Sequence, residues 1–169
     1  YKQALQSLEK LLNIAPEHEL GLELKVRTLL HLGYNELAIE EMNQMEVKGI
    51  LNQQLTLRKA DLNFNLGDFE NALSSYQQLW QQTEDKMAAR GMIRCLIAEE
   101  EFEQALYELD SLEDGGEFEF VKLKMICLDK LSLFDELIGY FEAKRSLVEE
   151  HPIILNLAAA AEKKAGRHH

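Results

Sequence analysis

The chain has 169 residues, of which 46% are hydrophobic and 28% are charged, and this composition excludes an intrinsically disordered chain. No apolar run approaches the roughly 18 residues that a membrane-spanning helix needs, so we expect no membrane insertion by this segment. The net charge of −12 counts against non-specific nucleic-acid binding, which requires a basic surface.

Helix-forming residues dominate the chain, glycine and proline are few, and no strand-like alternation is present, so the sequence predicts an all-α protein. In chain order, we expect a helix over residues 1–14, followed by four complete helix pairs and a last single helix. The four pairs are predicted at about 19–48, 53–82, 86–112 and 118–149, and the last helix at about 153–165.

A repeat of 32 to 34 residues underlies this order. Its marker, called the anchor here, is a residue inside the second helix of each pair: Ala4, Ala38, Ala72, Ala105 and Leu137. Large residues recur four and, in most repeats, seven positions after the anchor, which places them on the anchor's face of the helix. Gly33 and Gly67 lie five positions before their anchors, where the turn between two helices needs a residue that tolerates positive φ.

A period of about 34 with Gly-Asp-Phe-x-x-Ala at residues 67–72 resembles the tetratricopeptide repeat family, over nearly the whole chain. The resemblance implies a right-handed superhelical solenoid of antiparallel helix hairpins, in which the small anchor lets paired helices approach closely. The chain departs from the family pattern at its first-helix positions Thr56–Ala60 and Ala89–Ile93. The proline that usually ends the second helix is present only as Pro16.

The repeat phase predicts one tetratricopeptide-like solenoid over residues 1–167, with a partial repeat at 1–16, four full repeats at about 19–151 and a half repeat at 152–167. His168 and His169 resemble the remnant of a purification tag. Because the chain opens inside a repeat and at Tyr1 rather than methionine, we expect a fragment of a larger protein, and its Gln- and Leu-rich repeats favour a bacterial source. Its compartment, cytoplasmic or periplasmic, stays open.

No motif of a nucleophilic, metal-dependent or nucleotide-binding enzyme is present, so we expect no enzyme, no cofactor and no metal. We interpret the isolated His18, His31 and His151 as solvated or capping residues, and Cys95 and Cys127 as small core residues. The acidic runs Glu99–Glu101 and Glu113–Asp114 lack the ligand spacing of a calcium loop, and solvated helix corners explain them better.

The family resemblance implies that the first helix of each pair lines a concave surface that takes the ligand. By the anchor phase, first helices carry 12 of the 18 Lys and Arg residues. An Arg90–Arg94 centre with apolar neighbours would suit a protein or peptide segment that bears acidic and apolar side chains. The predicted groove consists of Arg27, Leu57, Arg58, Asp61, Phe64, Arg90, Arg94, Ile97, Lys122 and Ile126.

Several alternatives stay open. The first-helix cations could instead form ion pairs with the acids of neighbouring helices. The repeats could form a structural spacer or a homodimer through the exposed solenoid ends. An RNA-binding helical repeat is disfavoured by the charge and by the lack of a repeated base-reading pair. A clamp for a chaperone's C-terminal carboxylate is disfavoured because no first helix has the Lys and Asn four residues apart that the family uses.

Overall fold

The computed structural model describes residues 1–112 and 117–166. Every regular element within these residues is an α-helix, which confirms the all-α prediction. The acidic pair Glu113–Asp114, the predicted domain end at residue 167 and the predicted tag residues His168 and His169 lie outside the described residues. The chain divides into two compact units, Tyr1–Thr83 and Glu84–His169.

The first unit consists of five helices joined by short turns. They are α1 Lys2–Ile14, α2 Glu19–His31, α3 Asn35–Val47, α4 Gln53–Asn65 and α5 Phe69–Thr83. Helices that follow one another in this unit pack together, and their short connections make them antiparallel neighbours. The outer bounds of each predicted pair lie within one residue of those observed.

The described part of the second unit also consists of helices. They are α6 Lys86–Ala98, α7 Phe102–Ser111, α8 Phe118–Lys130, α9 Phe134–Val148 and α10 Pro152–Lys164. Besides packing against its neighbours in sequence, α7 and α9, α8 packs against α6 and against α10. First helices of successive pairs are therefore neighbours in this unit. No helix in the described ranges is long and apolar enough to cross a membrane.

Local chemistry accounts for several helix starts. The side chains of Asn52 and Asp85 each accept a hydrogen bond from a backbone N–H in the first turn of α4 and α6, at 2.9 Å. His18 does the same for α2, because its Nδ1 accepts from the Gly21 N–H at 2.9 Å. Pro152 opens α10, where its missing N–H removes no helical hydrogen bond. The prediction that His18 is a capping residue is therefore confirmed.

The repeat anchors occupy the tightest positions of the hairpins. Ala38, Ala72, Ala105 and Leu137 are all 0% exposed, as expected for residues at the closest approach of two helices. Ala4 is exposed, so in α1 the anchor marks the repeat phase without being part of the core. The large residues four positions after the buried anchors are buried as well: Met42, Tyr76, Leu109 and Phe141.

Each unit has its own hydrophobic cluster. In the first unit Val26, Met42 and Met45 belong to a cluster of side chains from α2, α3 and α4. In the second unit a larger cluster joins side chains of α8, α9 and α10. The two pairs of first-helix residues that depart from the family pattern are buried too, with Ala60, Ala89 and Ile93 at 0% and Thr56 at 6% exposure. All four residues therefore belong to the core.

The turn between the two helices of a hairpin has the same backbone conformation in four repeats. The residue five positions before the anchor has positive φ in each: Gly33 at 78°, Gly67 at 80°, Glu100 at 61° and Ser132 at 59°. In every case the following residue donates its N–H to a carbonyl five residues earlier, which closes the end of the first helix. The fold thus requires a left-handed residue at this position even where the sequence has none suited to it.

Candidate functional site

Most lysines of the first helices form ion pairs with acids on other elements. They join Lys25 to Glu41, Lys59 to Glu46, Lys86 to Glu117, Lys124 to Asp110 and Lys164 to Asp129. The Lys124–Asp110 pair, with 2.7 Å between Nζ and Oδ1, connects α8 to α7. The interpretation of first-helix cations as a structural ion-pair network is therefore supported for these five lysines. The Lys25 and Lys59 pairs are the least exposed of the five, so these two lysines are the least available to the anion of a partner.

The Arg27 side chain forms hydrogen bonds to residues of two first helices, α2 and α4. Its guanidinium donates to Glu23 Oε1 from Nε at 3.1 Å and from Nη2 at 2.7 Å. Nη2 also donates to Gln54 Oε1 on α4 at 3.1 Å, so the side chain bridges α2 and α4. Both members of the Arg27–Glu23 pair are partly exposed, at 47% and 27%. A partner carboxylate would therefore compete with Glu23 for the same donors.

Two other predicted groove residues of the first unit contribute to hairpin packing instead. The Tyr76 hydroxyl on α5 donates to the Asp61 carboxylate at 2.5 Å. The ring of Phe64 meets the ring of Phe69 edge to face, with 5.2 Å between centroids. Asp61 and Phe64 are half-buried by these contacts with the second helix of their own pair. Of the remaining predictions in this unit, Leu57 is half-buried and Arg58 is exposed.

In the second unit the predicted residues lie on two helices that pack against each other, α6 and α8. Arg90, Arg94 and Ile97 are spaced by four and three residues, which places them on one face of α6. Arg90 is half-buried, and among the described residues it has no hydrogen bond or ion pair. Arg94 is exposed and has an interaction of its own. A half-buried guanidinium without a counter-charge is the least satisfied of the predicted cations in this unit.

The predicted residues on α8 are a cation and an apolar side chain. Lys122 lies 3.1 Å from Glu119 Oε2 in its own helix, and both side chains are partly exposed. Ile126 is half-buried one turn further on. Arg90, Arg94, Ile97, Lys122 and Ile126 therefore share one unit and two adjacent helices. The five predicted residues with lower numbers belong to the other unit.

Four side chains of types that can act in catalysis or metal binding are either buried or stacked on an aromatic ring. Cys95 and Cys127 are free and buried, and burial raises the pKa of their thiols to about 12 and about 11, against a smaller lowering of the Cys95 pKa by the Arg94 charge. The His151 ring stacks on Phe118 with 3.8 Å between centroids, and His31 stacks on Tyr1 at 4.8 Å. Within the described ranges, no group of three or more His, Cys, Asp or Glu side chains is placed to hold a metal ion.

One polar feature was not predicted from the sequence. Lys59 and Asn63 on α4 are each only 5% exposed and line a pocket between α3, α4 and α5. Neither residue stands out in the sequence, because polar residues on a first helix are normally solvated. Only the packing of three helices reveals them.

Comparison with known proteins gives matches in structure but not in sequence. No protein-family model matches the chain, and no curated protein has a matching sequence. A tetratricopeptide repeat protein from Parabacteroides merdae aligns with a TM-score of 0.73 and 18% identity over 96% of this chain. The chain spans 66% of the length of that protein, slightly less than two thirds.

Two further solved structures are similar over most of their length. YrrB, described as a tetratricopeptide repeat protein with an unusual peptide-binding site, aligns with a TM-score of 0.76 and 15% identity over 92% of this chain and 81% of YrrB. MamA from Desulfovibrio magneticus aligns with a TM-score of 0.66 and 13% identity over 89% of this chain and 93% of that one. Together with the buried anchors, the hairpin turns and the repeat period, these similarities show that the chain has the tetratricopeptide repeat fold.

Proposed function

We propose that this chain is a non-catalytic scaffold that binds a segment of a partner protein along the exposed faces of its first helices. The centre of binding in the second unit is the surface formed by Arg90, Arg94, Ile97, Lys122 and Ile126, called the α6–α8 surface here. The preferred segment carries acidic side chains next to apolar ones. Carboxylates would engage the guanidinium groups in charge-assisted hydrogen bonds, and apolar side chains would cover the two isoleucines.

The observation that carries this proposal is the state of Arg90. It is half-buried, and no described residue supplies it with a hydrogen bond or counter-charge. The lysines of the other first-helix ion pairs, by contrast, are already neutralised. An incoming carboxylate at Arg90 would therefore gain a charge-assisted hydrogen bond without displacing an existing one.

The relatives are compatible with this role. YrrB is described as having a peptide-binding site, and the present chain shares its fold over most of its length. On fold-level analogy alone, we propose that the scaffold serves a bacterial secretion, polysaccharide-export or envelope-assembly system. The first unit would contribute Arg27 and Arg58, with Leu57, Asp61 and Phe64 as their neighbours.

A peptide-binding experiment tests the proposal. Fluorescently labelled 12-residue peptides that alternate Asp or Glu with Leu or Ile are titrated with the protein, and polarisation is measured. We expect binding by the wild type, and at least tenfold weaker binding by the Arg90→Glu, Arg94→Glu double variant, because a hydrogen bond to a charged group contributes about 1.5–3 kcal/mol.

A second double variant controls for net charge. Lys48→Glu with Arg145→Glu changes the charge by the same amount on exposed side chains that belong to α9 and to the end of α3. This control should bind like the wild type. Equal weakening in both double variants would indicate a non-specific charge effect, and equal binding by all three proteins would contradict the proposed surface.

Self-association is a second candidate function, supported by exposed apolar side chains on the first and last helices. Ile14 on α1 is 85% exposed, and Ile153 and Leu155 on α10 are 62% and 40% exposed. Exposed apolar side chains on the terminal helices of a repeat array are available for packing against a second copy. If α10 mediates association, the molar mass in sedimentation equilibrium should rise with concentration for the wild type but not for Leu155→Glu. Leu66→Glu, at a 55% exposed position near the end of α4, should associate like the wild type. A mass that is independent of concentration would exclude this function.

A further inference from the structure

A polar pocket of about 280 Å³ lies within the first unit, between α3, α4 and the start of α5. The side chains that matter for its chemistry are Asn43 and Glu46 from α3, Lys59 and Asn63 from α4, and Asn71 and Ser75 from α5. By liquid density this volume would hold roughly nine waters, which is enough for a small side chain with a short stem. A pocket lined almost entirely by polar groups is unusual, because small-molecule sites are mostly apolar.

The pocket is separate from the predicted groove. On a helix with 3.6 residues per turn, Lys59 and Asn63 lie on one side of α4, while Leu57, Asp61 and Phe64 lie on the opposite side. A ligand in the pocket would contact α3 and α5, the second helices of two successive pairs. Any binding here is therefore independent of the groove and of the proposed function.

The charged groups around the pocket already have hydrogen-bond partners within the protein. Lys59 Nζ donates to Glu46 Oε2 at 2.5 Å and to Asn43 Oδ1 at 3.2 Å. At the rim, the Asn71 amide donates to Asp68 Oδ2 at 2.7 Å. With one cation and two carboxylates in the lining, a free anion would be repelled. A free cation would have to approach the Lys59 ammonium.

Two side chains in the pocket have polar atoms without partners. Asn63 and Ser75 are each only 5% exposed, and neither side chain has a hydrogen bond to another described residue. No described side-chain polar atom that is fully shielded from solvent lacks a hydrogen-bond partner. The unpaired amide and hydroxyl must therefore reach the small open space that both residues line, which is the pocket. Nearly buried polar groups that open only onto a small pocket favour a ligand that completes their hydrogen bonds.

The chemistry of these two groups defines the ligand. An asparagine side chain presents a carbonyl acceptor and an NH₂ donor side by side, and a second carboxamide matches them with two antiparallel hydrogen bonds. The Ser75 hydroxyl can donate to or accept from the same group. A neutral ligand with both donor and acceptor also suits a pocket whose ammonium and carboxylate groups already have partners within the protein. We propose that this pocket binds the carboxamide side chain of a glutamine or asparagine presented by a partner polypeptide.

The test uses N-acetyl-L-glutamine N-methylamide as the probe, titrated into the ¹⁵N-labelled full chain while the side-chain NH₂ signals are followed by NMR. We expect saturable shifts of the Asn63 NH₂ signals with a Kd of the order of millimolar, since so small a ligand has few atoms to contribute affinity. The corresponding glutamate and norleucine derivatives, which replace the carboxamide by an anion or an alkyl group, should bind at least tenfold more weakly. Free glutamine should also bind more weakly, because its own charges would enter the pocket.

Variants separate the pocket from the rest of the surface. Asn63→Leu keeps the side chain's approximate size but removes both hydrogen-bonding groups. It should therefore abolish the NMR shifts that the probe induces at the backbone amide of Ser75, which lines the same pocket. Asn65→Leu, on the exposed side of α4, should leave binding unchanged. If Asn63→Leu does not fold by circular dichroism, Ser75→Ala provides the second variant, with an expected loss of about three- to tenfold from one hydrogen bond.

Three results would overturn the proposal. The absence of saturable Asn63 shifts would show that the pocket holds only water. Binding of the glutamate derivative as tight as that of the glutamine derivative would show a site that does not recognise a carboxamide. Unchanged binding by a folded Asn63→Leu or Ser75→Ala protein would place the probe elsewhere.

Discussion

The left-handed residue five positions before each anchor allows a direct test of how the repeat determines backbone conformation. Glycine supplies this conformation in the first unit, whereas Glu100 and Ser132 adopt it in the second, at φ of 61° and 59°. An L-residue in this region is strained by its Cβ, at about 1–2 kcal/mol. We therefore expect Glu100→Gly to stabilise the protein, although glycine usually destabilises the interior of a helix.

The magnitude can be worked from the glycines at the same position. A Cβ built on Gly33 or Gly67 meets no atom within 4 Å, so its cost there is purely conformational. Removing the Cβ of Glu100 should relieve about 1–2 kcal/mol of strain, while the extra freedom of glycine in the unfolded chain costs about 0.5–1 kcal/mol. The net stabilisation is therefore between about 0 and 1.5 kcal/mol, with a midpoint of about 0.75 kcal/mol. Ser132→Gly should give a similar gain, since Ser132 is exposed and has the same geometry.

Urea unfolding followed by far-UV circular dichroism measures this change, provided that the slope of the unfolding free energy against urea concentration is the same in each variant. Glu100→Gln removes the charge but keeps the Cβ, and its stability should stay within a few tenths of a kcal/mol of the wild type. Glu99→Gly, one residue earlier at φ −85°, should lose about 0.5–1 kcal/mol. The explanation would be refuted if Glu100→Gly destabilised the protein as much as Glu99→Gly, or if Glu100→Gln gave the whole gain.

Three further predictions concern the core and its buried polar groups. Glu46→Gln should destabilise the protein by up to about 3 kcal/mol in urea unfolding, because it leaves the 6% exposed side chain of Lys59 without its counter-charge. Lys59→Met leaves only a 38% exposed carboxylate, so it should change the stability by less than about 1 kcal/mol. Ala72→Leu should cost about 1–3 kcal/mol or prevent folding, because the anchor is 0% exposed and adjacent helices leave no room. Burial raises the pKa of Cys127 from 9.0 to about 11. The stability that depends on its protonated thiol is therefore complete below pH 9 and is lost as the pH rises toward 11. In urea unfolding, the free energy of unfolding of Cys127→Ala should fall less steeply than that of the wild type between these two pH values.

The fold could be predicted from the sequence because its information is local and periodic. Small anchors at a fixed phase identify the hairpins, and Ala38, Ala72 and Ala105 are buried as the repeat requires. The positive φ of Glu100 and Ser132 follows from the same phase, but residue type alone does not reveal it. Residue propensity suggests glycine, whereas the hairpin geometry dictates the conformation whatever residue occupies the position.

The candidate surface could be predicted only in outline. Helical phase assigns cations to the first helices, but the choice of counter-ion depends on side-chain rotamers and on neighbours far away in sequence. Asp61 illustrates this, because its phase predicts a groove position while the Tyr76 hydroxyl, fifteen residues later, binds its carboxylate. The pocket at Asn63 was not predicted for the same reason, since its lining comes from three helices.

The energies of the existing contacts rank the predicted binding residues. Releasing Arg27 from Glu23 would break an exposed i,i+4 pair that contributes about 0.3–0.5 kcal/mol, so a partner carboxylate could displace Glu23 at little cost. Freeing Asp61 would leave the hydroxyl of Tyr76, a 3% exposed side chain, without this partner, at a cost of about 1–3 kcal/mol. The side chains of Arg90 and Arg58 have no described hydrogen bond or ion pair to lose. A partner carboxylate should therefore engage Arg90 or Arg58 before Arg27, while Asp61 stays with Tyr76.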